Sequence, residues 1–306
     1  MNILFAGTPE PSGKILEYLI SHPAYKIKGV ITQPDKPQRR GNKILESNVS
    51  MISKQYDFPL FKPSNLDDPI FKKSIKDINF DFLIVAAYGK IIPNWLLEAS
   101  NKIPVNIHYS ILPSYRGASP IQTSLLNGDD LSGVTFMEMS EGLDEGRIIK
   151  IFTLHISDAH NKTSLENDLC DLAIKNIDNV LSLIFSNQFL LNEQDNLNAT
   201  YCSKIKKSDS IVNFTENADV IVNKYRAYSE WPGLAFVHKD TIIKIHTMDI
   251  FHENLSGMPG TIVRFDKTGI YFKTCSETIV ITYLQMPNKN IINSIDAFNA
   301  YREFFV

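Results

Sequence analysis

Along the first half of the chain, short apolar blocks alternate with stretches whose apolar residues recur at helical spacing. Residues 2–6 (NILFA) form an apolar run ending at Gly7-Thr8-Pro9, after which Ile15, Leu16, Leu19 and Ile20 share one helical face. Residues 26–32 read as a second strand, a run ending near Phe61 as a third, and residues 67–78 as a helix. FLIVAA at 82–87 is apolar without alternation, which suits a strand buried on both faces. Strands follow at 105–108 and 134–139, with a helix from about Pro120 between them. An amphipathic stretch at 163–185, with Leu165, Leu169, Leu172, Ala173, Ile177, Val180, Leu181 and Ile184 on one face, closes the series.

Strands alternating with helices predict βα units, and hence a Rossmann-like, mainly parallel sheet with flanking helices. Past it, residues 186–208 turn polar and Asn-rich, which suits a linker. The texture then changes. A helix at 216–228 leads to short strands at 234–237, 242–251, 260–265, 270–274 and 278–284, and a terminal helix covers 295–304. So many short strands in so little chain predict a smaller C-terminal β-barrel, the OB type being one option. The expected domains are 1–187, a linker at 188–208, and 209–306.

Composition narrows the function classes. The 306 residues carry a net charge of -3, so nucleic acid or an anionic membrane would have to be met by a local patch. Cys170, Cys202 and Cys275 are far apart, which argues for a reducing compartment and against a disulfide framework. The start, MNILFAGTPE, lacks the features of a signal peptide, and no apolar run reaches membrane-span length. A cytoplasmic monomer without membrane contact is expected. No HExxH and no zinc-like spacing of Cys or His occurs, so no metal is expected, and no GxSxG elbow supports a serine nucleophile. Gly7-Thr8-Pro9 is neither a GxGxxG nor a P-loop, which weakens any nicotinamide-dehydrogenase reading.

The densest candidate chemistry lies between 105 and 146, VNIHYSILPSYRGASPIQTSLLNGDDLSGVTFMEMSEGLDEG. Asn106 and His108 are two apart, so on a strand both point to one face. Ser110-Ile111-Leu112-Pro113 forms a stiff bend beside them, and Asp144 returns between Gly142 and Gly146. An oxyanion donor, a proton acceptor and an orienting carboxylate are what acyl transfer to an amine requires. Two of these residues also suit plain structural duty: an Asn satisfying backbone groups and a buried His. Arg116 reads equally well as structural. A second candidate is QPDKPQRRGNKILES at 33–47, with Lys36, Arg39, Arg40 and Lys43. It is either a solvated loop or a phosphate-contacting one.

VNIHYSILPSYRG followed by GVTFMEMSEGLDEG resembles the signature of the folate-dependent formyltransferases, in which N-x-H, the S-x-L-P turn and a later Asp form the site. LFAGTPE, VITQPDKPQRRGNKI, VAAYGKIIP and YRAYSEWPG extend the resemblance over nearly the whole chain, toward the branch that formylates methionyl-tRNA. The resemblance implies that Asn106, His108 and Asp144 are catalytic and that Ser110, Ile111, Leu112 and Pro113 contact the folate. It further implies 10-formyltetrahydrofolate as donor, methionyl-initiator tRNA as acceptor, and Lys36, Arg39, Arg40 and Lys43 as tRNA contacts. Three positions depart from the family pattern: Tyr109, where glycine is common; Ser114-Tyr115, where a basic residue and Trp are common; and Pro11-Ser12-Gly13, in place of a Phe-Ala start. Two rivals share the pattern, a sugar-nucleotide N-formyltransferase and a non-catalytic tRNA-binding protein on the same scaffold. The basic loop speaks against the first and the intact triad against the second.

Overall fold

The structure is a computed structural model that describes residues 1–37, 44–253 and 255–306. The chain divides into two compact units, one of residues 1–120, 131–155 and 166–203, the other of residues 121–130, 156–165 and 204–306.

The first unit is built on seven strands: β1 (Asn2–Gly7), β2 (Lys26–Ile31), β3 (Leu60–Phe61), β4 (Phe82–Ala86), β5 (Val105–His108), β6 (Leu131–Glu138) and β7 (Ile148–His155). Their order is β7-β6-β5-β4-β1-β2-β3. β3, β2, β1, β4 and β5 run parallel, as expected. The other two, β6 and β7, are antiparallel and form one margin. Strand direction is absent from a periodicity pattern, so only the fold fixes it. Helix α1 (Glu10–Ser21) follows β1, where the helical spacing predicts it. Two elements carry too weak a pattern to be read from sequence. β7 is half exposed, and α2 (Asn48–Gln55) buries only Val49, Ser50, Ile52 and Ser53.

Alternation decides what each sheet face carries. Leu4, Ala6, Leu83 and Val85 share a core cluster with Phe71 and Ile75 of α3 (Pro69–Lys76) and Leu96 and Leu97 of α4 (Asn94–Leu97). All five residues of β4 are buried, which accounts for the unbroken FLIVA. Asn106 is the register partner of Val85, so Asn106 and His108 lie on this helix-covered face, and Tyr109 points to the opposite one.

Between the strands of the first unit the chain also forms α5 (Pro120–Asn127), and after β7 the long α6 (Lys162–Phe185). In the second unit, α7 (Ala218–Ala227) precedes β8 (Leu234–His238), β9 (Thr241–Phe251), β10 (Ile262–Asp266), β11 (Gly269–Lys273), β12 (Thr278–Gln285) and β13 (Ile291–Asn293). These pair in the antiparallel order β8-β9-β12-β11-β10, with β13 on β12, consistent with a small barrel domain. Two register shifts let the long β9 bend. Phe214 stacks on Phe272 at 3.9 Å, and Phe236, Phe265 and Phe305 add edge contacts in its core.

Candidate functional site

β5 carries two polar side chains into an apolar face. Asn106 Nδ2 donates to Asp144 Oδ1 at 3.1 Å. His108 is 7% and Asp144 15% exposed, and His108 Nδ1 lies 3.6 Å from Asp144 Oδ2, beyond hydrogen-bond length. The backbone N–H of Gly117 fills that second carboxylate oxygen, at 2.9 Å. The imidazole is held instead from its other side: Nε2 meets the Tyr115 carbonyl oxygen at 2.9 Å. A carbonyl only accepts, so Nε2 carries the proton in this contact, and Nδ1 is the nitrogen that faces Asp144. The expected orienting carboxylate thus anchors Asn106 and Gly117 more tightly than it anchors the histidine.

Register explains why a residue so far along the chain arrives here. Glu138 pairs with Val105 and Thr135 with His108, so the loop after β6 starts beside the amino end of β5. Asp144 must then adopt a left-handed backbone, φ 51°, to turn its carboxylate toward Asn106. Gly146 is required for the same path, because a Cβ there would lie 1.9 Å from the Glu138 carbonyl oxygen.

The turn after β5 is knitted by Thr135, whose hydroxyl donates to the Ser110 carbonyl at 2.6 Å and accepts from the Leu112 N–H at 3.2 Å. Ser110 Oγ closes it on the Ser114 carbonyl at 2.6 Å. Ser110 and Leu112 are buried, and Ile111 and Pro113 are half-buried. Two further hydroxyls of this unit, Tyr88 Oη after β4 and Ser140 Oγ after β6, are buried without a protein partner. Asn94, the first residue of α4, donates to Glu141, the neighbour of Ser140 in the chain. Unpaired buried hydroxyls are costly unless a ligand or water meets them. Burial pushes the Tyr88 hydroxyl up to about 12. A separate cavity of about 300 Å³ is lined by residues 64–67, Lys90, Ile91 and Pro93 and does not touch Asn106, His108 or Asp144.

Of the other expected positions, Arg39, Arg40 and Lys43 lie outside the described residues, and Lys36 opens a two-residue strand paired with Ile44–Leu45. Two of the departures from the family pattern converge. Tyr109 bonds Cys170, and Cys170 Sγ donates to the Pro11 carbonyl at 3.5 Å. Burial raises the Tyr109 hydroxyl well above its ordinary value and pushes the Cys170 thiol up to about 11. The polar stretch after α6 also reaches the site, through Gln194, Asn196, Thr200 and Tyr201. Sequence reasoning missed these four; nothing in an Asn-rich run singles out such contacts. Among the described residues no group of three or more His, Cys, Asp or Glu is placed to hold a metal, and no helix is long and apolar enough to cross a membrane.

Amide, imidazole and carboxylate on one face of an open α/β sheet, followed in the chain by a small antiparallel unit, define a two-part α/β scaffold of the group-transfer class. The chain belongs to the formyl transferase family: residues 1–181 match the formyl transferase domain and 204–302 the formyl transferase C-terminal domain. Solved structures share the fold. WlaRD, a sugar 3N-formyl transferase determined with dTDP and 5-N-formyl-THF, superposes with a TM-score of 0.67 at 19% identity, over 95% of this chain and 99% of its own. The N-formyltransferase of Helicobacter canadensis, complexed with folinic acid and dTDP-3-aminofucose, gives 0.67 at 19%, over 91% and 98%. HypX from Aquifex aeolicus, in complex with tetrahydrofolic acid, gives 0.66 at 14% over 98% of this chain but 47% of its own, so the chain spans about half of HypX.

Proposed function

We propose that the protein transfers the formyl group of 10-formyltetrahydrofolate to the α-amino group of methionyl-initiator tRNA, giving formylmethionyl-tRNA, in the cytoplasm. The observation that carries the formyl-transfer part is the joining of Asn106, His108 and Asp144 on the β5 face. The folate turn Ser110–Pro113 begins two residues after His108 and is the segment assigned to the donor. Folate ligands in the related HypX and WlaRD structures support the same donor. The tRNA part rests on the basic run with Lys36, Arg39, Arg40 and Lys43, which a small acceptor gives no reason for.

In this reading the neutral amine attacks the formyl carbon, the bond from that carbon to the folate nitrogen breaks, and one proton passes from amine to folate nitrogen. Asn106 donates its amide N–H to the formyl oxygen as negative charge develops there, a contribution of about 3 kcal/mol in comparable sites. His108 exchanges the proton through Nδ1, because the Tyr115 carbonyl holds Nε2–H. Asp144 fixes the Asn106 amide, balances with its negative charge the positive charge that forms on the imidazole, and relays the proton through water.

The related structures, one with dTDP and one with dTDP-3-aminofucose, favour one second reading, an amino-sugar nucleotide as acceptor. One assay separates them. The protein is incubated with 10-formyltetrahydrofolate and either charged initiator methionyl-tRNA or a dTDP-amino sugar. Formylmethionine is the expected product. Formylation of the sugar alone overturns the tRNA reading and keeps the donor; no transfer to either overturns both.

A further inference from the structure

We propose that Gln194, on the segment after α6, is a positioning residue that holds Asp144 in its working geometry; this rests on the formyl-transfer reading of the site. Its side chain is 8% exposed and every polar atom of it is used. Nε2 donates to the Asp144 carbonyl at 2.8 Å and to the Gly146 carbonyl at 2.7 Å, while Oε1 accepts from Arg116 Nε at 3.0 Å. The amide orientation follows from its partners, since a flipped amide would set oxygen against two carbonyls and nitrogen against a guanidinium N–H.

Asp144 needs such a clamp. Its left-handed φ of 51° is a conformation that residues other than glycine adopt less readily, and hydrogen bonds to the surrounding backbone hold it there. One buried side chain pins the carbonyls at both ends of that turn. Arg116, only 1% exposed, in turn pins Gln194, and its other side-chain partners, Asn196 Oδ1 at 2.8 Å and Tyr201 Oη at 3.3 Å, come from the same segment and are neutral as well. The segment also reaches the carboxylate end. Cys202 runs so close to Gly117 that a Cβ there would lie 2.4 Å from the Cys202 carbonyl oxygen, and Gly117 N–H is the donor to Asp144 Oδ2. Thr200 Oγ1 accepts from Tyr115 N–H at 2.9 Å, and the Tyr115 carbonyl holds His108. Residues 192–202 therefore act as a strap whose side chains set the backbone of both functional loops.

Gln194→Glu separates positioning from packing. The carboxylate keeps length, volume and the Arg116 contact, but it donates nothing to the two carbonyls. The expected result is a protein that folds with a lowered Tm, since a carboxylate oxygen now faces two carbonyls, and with a kcat per folded molecule at least about 10-fold lower, toward the 100-fold that a 1 Å misplacement costs, at an unchanged KM for the formyl donor. A merely structural residue would lower Tm and the folded fraction while leaving kcat per folded molecule alone; that outcome overturns the inference. Should Gln194→Glu not fold, hydrogen exchange of the Gln194 side-chain amide in the unmutated protein decides. Strong protection of both protons is expected, and rapid exchange overturns the clamp. Asp144→Asn is run alongside. Retained turnover in that variant sinks the catalytic reading itself, whereas its loss together with wild-type kcat in Gln194→Glu sinks only the strap.

Discussion

Asn106 and His108 take their orientation from different neighbours, and the difference sets what their removal should do. The Asn106 amide is tied to the Asp144 carboxylate, whereas the His108 ring is tied to a main-chain carbonyl. Neither side chain fills the core that α3 and α4 build, so truncating either leaves that core intact. Asn106→Ala and His108→Ala should each lower turnover by at least about 100-fold, equivalent to about 2.7 kcal/mol of transition-state stabilisation, with folding retained. Single-turnover kinetics with matched circular dichroism checks this. Near-wild-type rates in either variant would remove that residue from the mechanism.

At the scale of elements, one carboxylate of α6 gathers three rings from α1 and the turn before β2. Asp178 accepts from the Tyr18 hydroxyl at 2.5 Å and from the Tyr25 hydroxyl at 2.6 Å, and His22 Nε2 lies 3.3 Å away. The Tyr18 hydroxyl is held up to about 12, chiefly by its hydrogen bond to Asp178 and then by burial. Tyr25 is pushed up further, by burial first and Asp178 second. A raised value means that the folded state holds the proton more tightly. The cluster's contribution is therefore complete below the ordinary tyrosine value of about 10 and is lost as pH climbs through the folded values. In an alkaline titration followed at 295 nm, Asp178→Asn should bring the Tyr18 transition back toward its ordinary position, while Tyr25 stays elevated by burial. An unmoved Tyr18 transition would show that Asp178 is not the cause.

For the whole molecule, the net charge of -3 leaves any nucleic-acid contact to a local run of cations. Arg39→Ala combined with Arg40→Ala should weaken binding of the initiator tRNA and flatten its salt dependence, by roughly 0.7 to 0.9 in log–log slope for each phosphate no longer neutralised. Turnover at saturating acceptor should change little, since neither arginine belongs to the triad. Filter binding from low to moderate salt measures the slope, and an unchanged slope would mark the run as a solvated surface.

Periodicity and residue chemistry alone determined most of the elements, the change of texture between the two halves, and the pairing of Asn106 with His108, because strand alternation and helical spacing are local properties. The burial of FLIVA on both faces followed from composition in the same way. What needed tertiary structure was everything set by register and by contacts between distant segments. The antiparallel direction of β6 and β7 carries no periodic signal. The left-handed turn at Asp144 is set by contacts from distant segments, and the Tyr115 carbonyl that holds His108 is a backbone atom invisible to any side-chain motif. The polar stretch at 192–202 reads as solvated chain because its residues are hydrophilic. Folding instead commits their hydrogen bonds to a buried arginine and to the backbone around Asp144, a role that hydropathy cannot encode.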